Sequence, residues 1–273
     1  MTWSKNIVTW FENKTAFISV PFTWELPKAY SQCVWYRQQG YNVRAGGPAV
    51  SLIPDYLADV ANTNGDVNAL PHHNPNATFT TRGCIRHCSF CAVPIIEGDF
   101  RELSSWEPKP IVCDNNLLAS SQRHFDKVID SLKQFSGVDF NQGLDARLLN
   151  SHHIERLQEL VKPHIRFAWD DVNKEASVFD AIHKMIDAGF AKSRITVYIL
   201  IGNSDTPEDA LYRLVTIRDV LKVTTFPMRF QPLYILKYNS YVTPGWTDKE
   251  LKRMVRYFSR QRFLRQISYS DYK

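Results

Sequence analysis

Residues 80–91 read Thr80-Thr81-Arg82-Gly83-Cys84-Ile85-Arg86-His87-Cys88-Ser89-Phe90-Cys91, and gather three of the chain's 5 cysteines with the spacing Cys-x3-Cys-x2-Cys. Thiolates crowded in this way are a metal-site signature, because adjacent turns of one loop can aim three sulfurs at a common point. Zinc sites normally close with a fourth protein ligand. Three cysteines with no obvious fourth suit a 4Fe–4S cluster with one iron left open. His87 would complete a Cys3His zinc site, but it directly precedes Cys88, an awkward place for a ligand of the same ion. A structural disulfide would leave one of the three thiols over.

At 273 residues the chain has room for one large domain, or for a barrel with a small appendage. Hydrophobic residues make up 44% of it, and no apolar run approaches the ~20 residues that a membrane span needs. Residues 1–15 alternate Trp, charged and amide side chains and lack the apolar core of a signal peptide. A reducing cytoplasm is therefore expected, which suits clustered thiolates, and no membrane partner. The net charge of +5 favours an acidic partner without demanding one.

Outward from the cysteines, the pattern becomes a strand–helix alternation. Before the loop, Ala16–Val20 reads as a buried strand, Pro27–Gln39 as a helix, and Tyr41–Val43 as a short strand ending at Gly46-Gly47-Pro48, a βαβ unit. Cys33 falls inside the helix pattern and reads as packing. Residues 61–75 are rich in turn formers and read as a linker, with His72-His73 exposed on it. From residue 76, six strands are expected: Ala77–Arg82, Ile111–Cys113, Val138–Phe140, Ile165–Trp169, Ile195–Ile201 and Met228–Leu233. Helices are expected over about 120–135, 151–161 and 175–188, and from Thr206-Pro207-Glu208-Asp209, whose hydroxyl, proline and acids form a start signal. Repeated βα units imply a parallel sheet or barrel, with its site at the C-terminal strand ends.

The loop, with Phe90 before Cys91 and Thr81-Arg82-Gly83 leading in, resembles the radical S-adenosylmethionine (radical SAM) superfamily. The resemblance extends over residues 76–240, where six strands follow in the number and order of that family's partial barrel. It implies an α/β fold: a partial (βα)6 TIM-like barrel over 76–240, a small N-terminal βαβ cap and linker over 1–75, and a basic C-terminal helix and tail over 241–273. It also implies one 4Fe–4S cluster on Cys84, Cys88 and Cys91, with S-adenosylmethionine chelated to the open iron and cleaved to a 5′-deoxyadenosyl radical. An electron donor such as flavodoxin or ferredoxin follows from that chemistry. The N-terminal segment looks like a shortened cobalamin-binding domain, but the Asp-x-His-x-x-Gly segment that supplies the cobalt ligand is missing, so no cobalamin is expected.

Several residues gain roles from this resemblance. Phe90 is expected to pack near the adenine. Asp114 and Asn115 follow strand two, where the family holds the amino group of S-adenosylmethionine, and Ile-Val-Cys-Asp-Asn-Asn looks like the Phe-x-Asp-Asp/Asn segment of cobalamin-type members. Asn116 competes as a simple helix cap. Asn141, Gln142 and Arg147 follow strand three, Arg147 being able to grip the methionine carboxylate of the cofactor with two prongs or to be a plain surface helix residue. Asp170 and Asp171 end strand four, where ribose or substrate is met. Gly202 ends strand five as a point of close backbone approach, although Tyr198 stands where the family's motif has its first glycine. Gln231, on strand six, is a substrate-contact candidate. Cys113, beside the amine-binding segment, is a candidate hydrogen donor or persulfide carrier, against the reading of a buried, inert strand cysteine.

Leu251, Met254, Val255 and Phe258 recur at i, i+3, i+4 and i+7, an amphipathic helix. Its other face carries Lys252, Arg253, Arg256, Arg260, Arg262 and Arg265, with Tyr257 and Phe263 interleaved, a composition that grips phosphates and stacks bases. A solvated basic face is the plain alternative. Only Cys33 and Cys113 remain outside the loop, too few for an auxiliary cluster. The expected function is a radical SAM enzyme modifying an unactivated C–H position, of nucleic acid first, then of a peptide or small metabolite. The alternative is a non-catalytic zinc or iron–sulfur protein that binds nucleic acid.

Overall fold

The computed structural model describes residues 3–4, 6–65, 67–260 and 267–272. The chain divides into two compact units that are not collinear with the sequence. Unit 1 comprises Met1–Ala77, Arg86–Asp99 and Gln231–Tyr241, and unit 2 comprises Thr78–Ile85, Phe100–Phe230 and Val242–Lys273.

In unit 1, β1 (Val8–Glu12) and β2 (Thr15–Ser19) form an antiparallel hairpin, and β3 (Asn42–Gly46) runs parallel to β2. The two turn residues Asn13 and Lys14 have φ of 44° and 63°, the left-handed geometry that a two-residue hairpin turn requires. The sequence pattern missed β1, because its Val, Thr, Trp and Phe are hidden among charged and amide neighbours. Helix α1 (Leu26–Gln38) crosses between β2 and β3 as the βαβ reading expected, and Leu26, Ala29 and Cys33 recur on its buried face. They pack on Ala16 and Ile18 of β2 and on Val43 and Ala45 of β3, together with Ala49 and Val50 of α2 (Pro48–Leu52). Gly47, at φ 92°, begins that helix where a Cβ would lie 2.9 Å from the Val20 carbonyl oxygen. The expected linker contains α3 (Leu70–His73), on which His72 is exposed as expected and His73 is half-buried. The His72 ring stacks on Trp10 at 4.0 Å, and His73 Nε2 lies 2.9 Å from Ser19 Oγ. Helix α4 (Val93–Ile96) and the 231–241 segment complete the unit, the latter held where Thr23 Oγ1 donates to the Ile235 carbonyl at 2.6 Å.

In unit 2, β4 (Ala77–Thr78, whose first residue falls in unit 1) and β5 (Thr81–Arg82) are two pieces of the expected first strand, and β6 (Arg101–Glu102) pairs antiparallel with β5. The row continues through β7 (Ile111–Val112), β8 (Asp139–Phe140), β9 (Ile165–Ala168), β10 (Ile195–Ile201) and β11 (Thr224–Arg229). Strands pair in the orders β4-β7-β8 and β9-β10-β11. A parallel bridge between Asp139 and His164, with Leu144 N donating to the Arg166 carbonyl at 2.7 Å, links the two groups. Among the described residues the row does not close into a barrel, and no helix is long and apolar enough to cross a membrane. The sixth strand lies at 224–229, four residues before the expected span. Its β-branched Thr224 and Thr225 match a strand as well as the Met-Arg-Phe run does, so composition did not fix the register.

Helices α5 (Gln122–Leu132), α6 (Ser151–Gln158), α7 (Glu175–Asp187), α8 (Pro207–Val215) and α9 (Asp248–Ser259) alternate with or follow these strands. The Thr206 cap read from sequence is present, Asp209 makes it reciprocal, and Thr247 with Glu250 repeats the arrangement on α9. Ile195, Val197, Ile199 and Ile201 alternate along one fully buried face of β10, in one core with Ile182, Met185, Leu214, Met254 and Phe258 from the helices. Burial of each large side chain is worth roughly 1.5–3 kcal/mol. The opposite face of β10 carries the buried Thr196 and Leu200 and the half-buried Tyr198. Arg166 grips Asp139 with two bonds of 2.7 and 2.6 Å and donates to Tyr198 Oη at 2.8 Å, beside Phe226 and Met228, which are both exposed.

Candidate functional site

The polar residues that follow the strands of unit 2 divide into those that hold the backbone and those that face other side chains. Asp114, at the end of β7, is buried, and its carboxylate accepts from the backbone N–H of Thr80 at 2.6 Å and of Thr81 at 3.0 Å, and from the Thr80 hydroxyl. These bonds bridge the break between β4 and β5, from which the cysteine loop departs. Burial pushes the carboxyl up, while the threonine donors pull it back. The expected role of Asp114 as acceptor for an ammonium is corrected: its oxygens are engaged in shaping the strand. Asn115, next to it, is half-buried.

Asn116 does what the sequence reading did not give it. It stands before the short turn Leu117–Ala119 but makes no side-chain cap there. Instead its Nδ2 lies 3.6 Å from Cys84 Sγ, within sulfur's longer hydrogen-bond reach, and 3.5 Å from Asp145 Oδ2. Its Oδ1 is buried with no hydrogen-bond partner. Asp145 caps the turn Ala146–Leu148, and Arg147 grips it through Nε at 2.7 Å and a terminal nitrogen at 2.9 Å. The two prongs of Arg147 are thus engaged by Asp145, not by the cofactor carboxylate expected for them. Asp145 had passed unnoticed, although an acid two residues before an arginine was the available signal.

At the end of β8, Asn141 N donates to the Val112 carbonyl at 2.9 Å, and its own carbonyl accepts from Tyr198 Oη at 2.9 Å; Gln142 beside it is exposed. After β9, Asp170 accepts from Leu200 N at 3.3 Å. Burial pushes its carboxyl up, against the charges of Arg213, Lys174 and Arg147. Asp171 caps the following turn, accepting from Asn173 N at 2.9 Å. Gly202 is required for a local reason: its φ is 74°, and a Cβ there would meet Leu251 Cδ2 at 2.7 Å. Close approach is real, but to the chain's own α9. Sequence reasoning also missed the fully buried Arg213, which donates to the Trp169 carbonyl at 2.7 Å, the Leu200 carbonyl at 3.1 Å and Asp205. It pins the ends of β9 and β10 together.

Cys84 belongs to unit 2, while Cys88, Phe90 and Cys91 belong to unit 1. Cys91 N donates to the Cys88 carbonyl at 3.0 Å, so the last two cysteines share one turn. Among the described residues, no three His, Cys, Asp or Glu side chains are gathered as metal ligands. Cys113 is corrected as a chemical candidate. It is buried, and its thiol is pushed up to about 12 by burial first and then by Asp114 and Asp139. Gln231 lies off the strand, donating to Asn239 Oδ1 at 3.0 Å within unit 1.

The basic face of α9 is only partly open. Lys252 pairs with Asp248 at 2.6 Å. Arg253 donates to the carbonyls of Tyr272, Tyr269 and Ser270 at 2.6, 2.5 and 3.1 Å, tying down the C-terminal residues. Arg256 and Arg260 are exposed. Arg262, Phe263 and Arg265 lie outside the described residues. Tyr257, read as interleaved with the basic residues, is instead buried, and its hydroxyl donates to the Ile267 carbonyl at 2.5 Å.

No family model matches the chain, and none of the curated proteins compared with it matches.

Proposed function

We propose that this chain is a radical SAM enzyme, with one 4Fe–4S cluster held by Cys84, Cys88 and Cys91 and with its strand row as a partial (βα)6 barrel. The observation that carries the reading is the Cys-x3-Cys-x2-Cys loop directly behind the strand that precedes a chain-ordered βα series. The donor chemistry fits: three thiols suit a cluster with one open iron, and beside Cys84 the buried Asn116 Oδ1 has no partner. When bound, the cluster supplies the electron that splits S-adenosylmethionine and so generates the 5′-deoxyadenosyl radical that takes hydrogen from an unactivated C–H group. Asn116 offers an acceptor suited to an ammonium, the part first read into Asp114. Asn115, Asn141, Gln142 and Asp170, at neighbouring strand ends, remain candidates for the rest of the cofactor. Phe90 is the candidate for the adenine.

The same reading includes a reducing cytoplasm, a flavodoxin- or ferredoxin-like electron donor and no cobalamin. It ranks nucleic acid first among substrates, on the exposed Arg256 and Arg260. The test is anaerobic reconstitution with iron and sulfide, followed by dithionite and S-adenosylmethionine. The expected result is 5′-deoxyadenosine that disappears in Cys88→Ala. A fully loaded protein that forms none, with candidate nucleic acids present, would overturn the proposal. A colourless protein carrying stoichiometric zinc would favour a binding module in its place.

A further inference from the structure

We infer that Asn116 is a positioning residue for the cysteine loop, whose side-chain N–H donates to the Cys84 sulfur and raises the reduction potential of a cluster held there. The inference rests on the cluster reading above. Asn116 is 2% exposed, so its side-chain N–H groups take their acceptors from within the protein. Its Nδ2 has two hydrogens and two acceptors in reach, Cys84 Sγ at 3.6 Å and Asp145 Oδ2 at 3.5 Å. Asp145 is in turn fixed by the two-pronged grip of Arg147 and by its cap on Arg147 N at 3.2 Å. The result is a chain of contacts, Cys84–Asn116–Asp145–Arg147, running from a proposed ligand sulfur to a surface arginine. Its members follow three strands, β5, β7 and β8.

The physical consequence follows from charge. Reduction adds an electron that is shared with the ligand sulfurs, and an N–H donor to such a sulfur stabilises the more negative state. Removing the donor while keeping the volume makes reduction harder. Putting a carboxylate in its place makes it harder still. Asn116→Leu is the first change and Asn116→Asp the second.

The experiment is an EPR-monitored redox titration of reconstituted wild type, N116L and N116D, each checked for iron and sulfide content. The midpoint is expected to fall from wild type to N116L and further to N116D. For N116L the oxidised-to-reduced ratio at fixed potential is expected to rise up to about tenfold, or ~59 mV for a one-electron couple. A purely structural role for Asn116 would lower cluster content without moving the midpoint of the clusters that form. Loaded variants that titrate with the wild type overturn the inference and leave the proposed function standing. If neither variant loads, the wild type decides: protein labelled with 15N-asparagine is expected to show a side-chain nitrogen coupling in pulsed EPR of the reduced cluster, and its absence overturns the inference. A wild type that takes up no cluster at all removes the functional reading, and this inference with it.

Discussion

The turn after β7 and helix α9 each crowd polar residues into a short stretch, and the fold uses them in opposite ways. In the turn, Asp114 and Asn116 are buried and directed inward, one to the backbone of Thr80 and Thr81 and the other to Cys84 and Asp145. On α9 and at its C-terminal cap, Arg256 and Arg260 stay exposed, while Arg253 donates to the carbonyls of Tyr269, Ser270 and Tyr272. A polar side chain in the interior must be satisfied by the protein; on the surface water satisfies it, and the group stays available. A role read from residue type therefore needs revision where the side chain is buried.

The comparison is broken most forcefully at Asp114. Asp114→Ala leaves the Thr80 hydroxyl and two backbone N–H groups without their acceptor, and a loss of ~3 kcal/mol or more is expected from buried donors of this kind. Chemical denaturation measures it, and a loss below ~1 kcal/mol would show that these bonds are dispensable. Arg253→Ala is expected to cost less, ~1–2 kcal/mol, since charge-assisted bonds to carbonyls are lost at a half-buried site. Its signature is earlier proteolytic cleavage after Ser259, with the rest of the protein unchanged.

A thiol contrast sharpens the same point. The folded Cys113 keeps its proton up to about 12, whereas an unfolded cysteine ionises near ~8.5. At pH 8, iodoacetamide is expected to spare Cys113 until denaturant is added, and mass spectrometry of the peptides reads this directly. The sign is fixed: the unfolded thiol loses its proton first, so stability declines as pH climbs from the unfolded value toward the folded one. Modification of native Cys113 at the rate of a free thiol would refute its burial. The smallest effect is on α9. Arg256→Ala with Arg260→Ala is expected to change stability by less than ~0.5 kcal/mol, as surface substitutions do. A salt titration is expected to show weaker nucleic-acid binding with a shallower salt slope. Unchanged affinity would take nucleic acid from the head of the substrate ranking.

Much of the strand–helix order is legible in the sequence. The seven residues Ile195–Ile201 carry an unbroken apolar run, and the Thr206 cap announces its helix, so β10 and α8 fall where the pattern put them. The sixth strand was displaced, because Thr224–Arg229 and Met228–Leu233 are both plausible strand compositions and only pairing with β10 chooses between them. Arg213 was invisible for a similar reason: a lone arginine on an amphipathic helix looks solvated until two strand-end carbonyls and Asp205 are brought under it.

By itself the sequence determined the periodicities, the caps and the close spacing of the three loop cysteines, because these depend on residues a few positions apart. It named the turn after β7 as polar without saying which of its three residues faces what. Only the tertiary structure decided that Asp114 mends a broken strand, that Asn116 meets Cys84 and that Cys113 is sealed away. Those outcomes depend on burial and on partners 29 to 34 positions distant, and a hydrogen bond to such a partner exists only once the sheet has brought the two segments side by side.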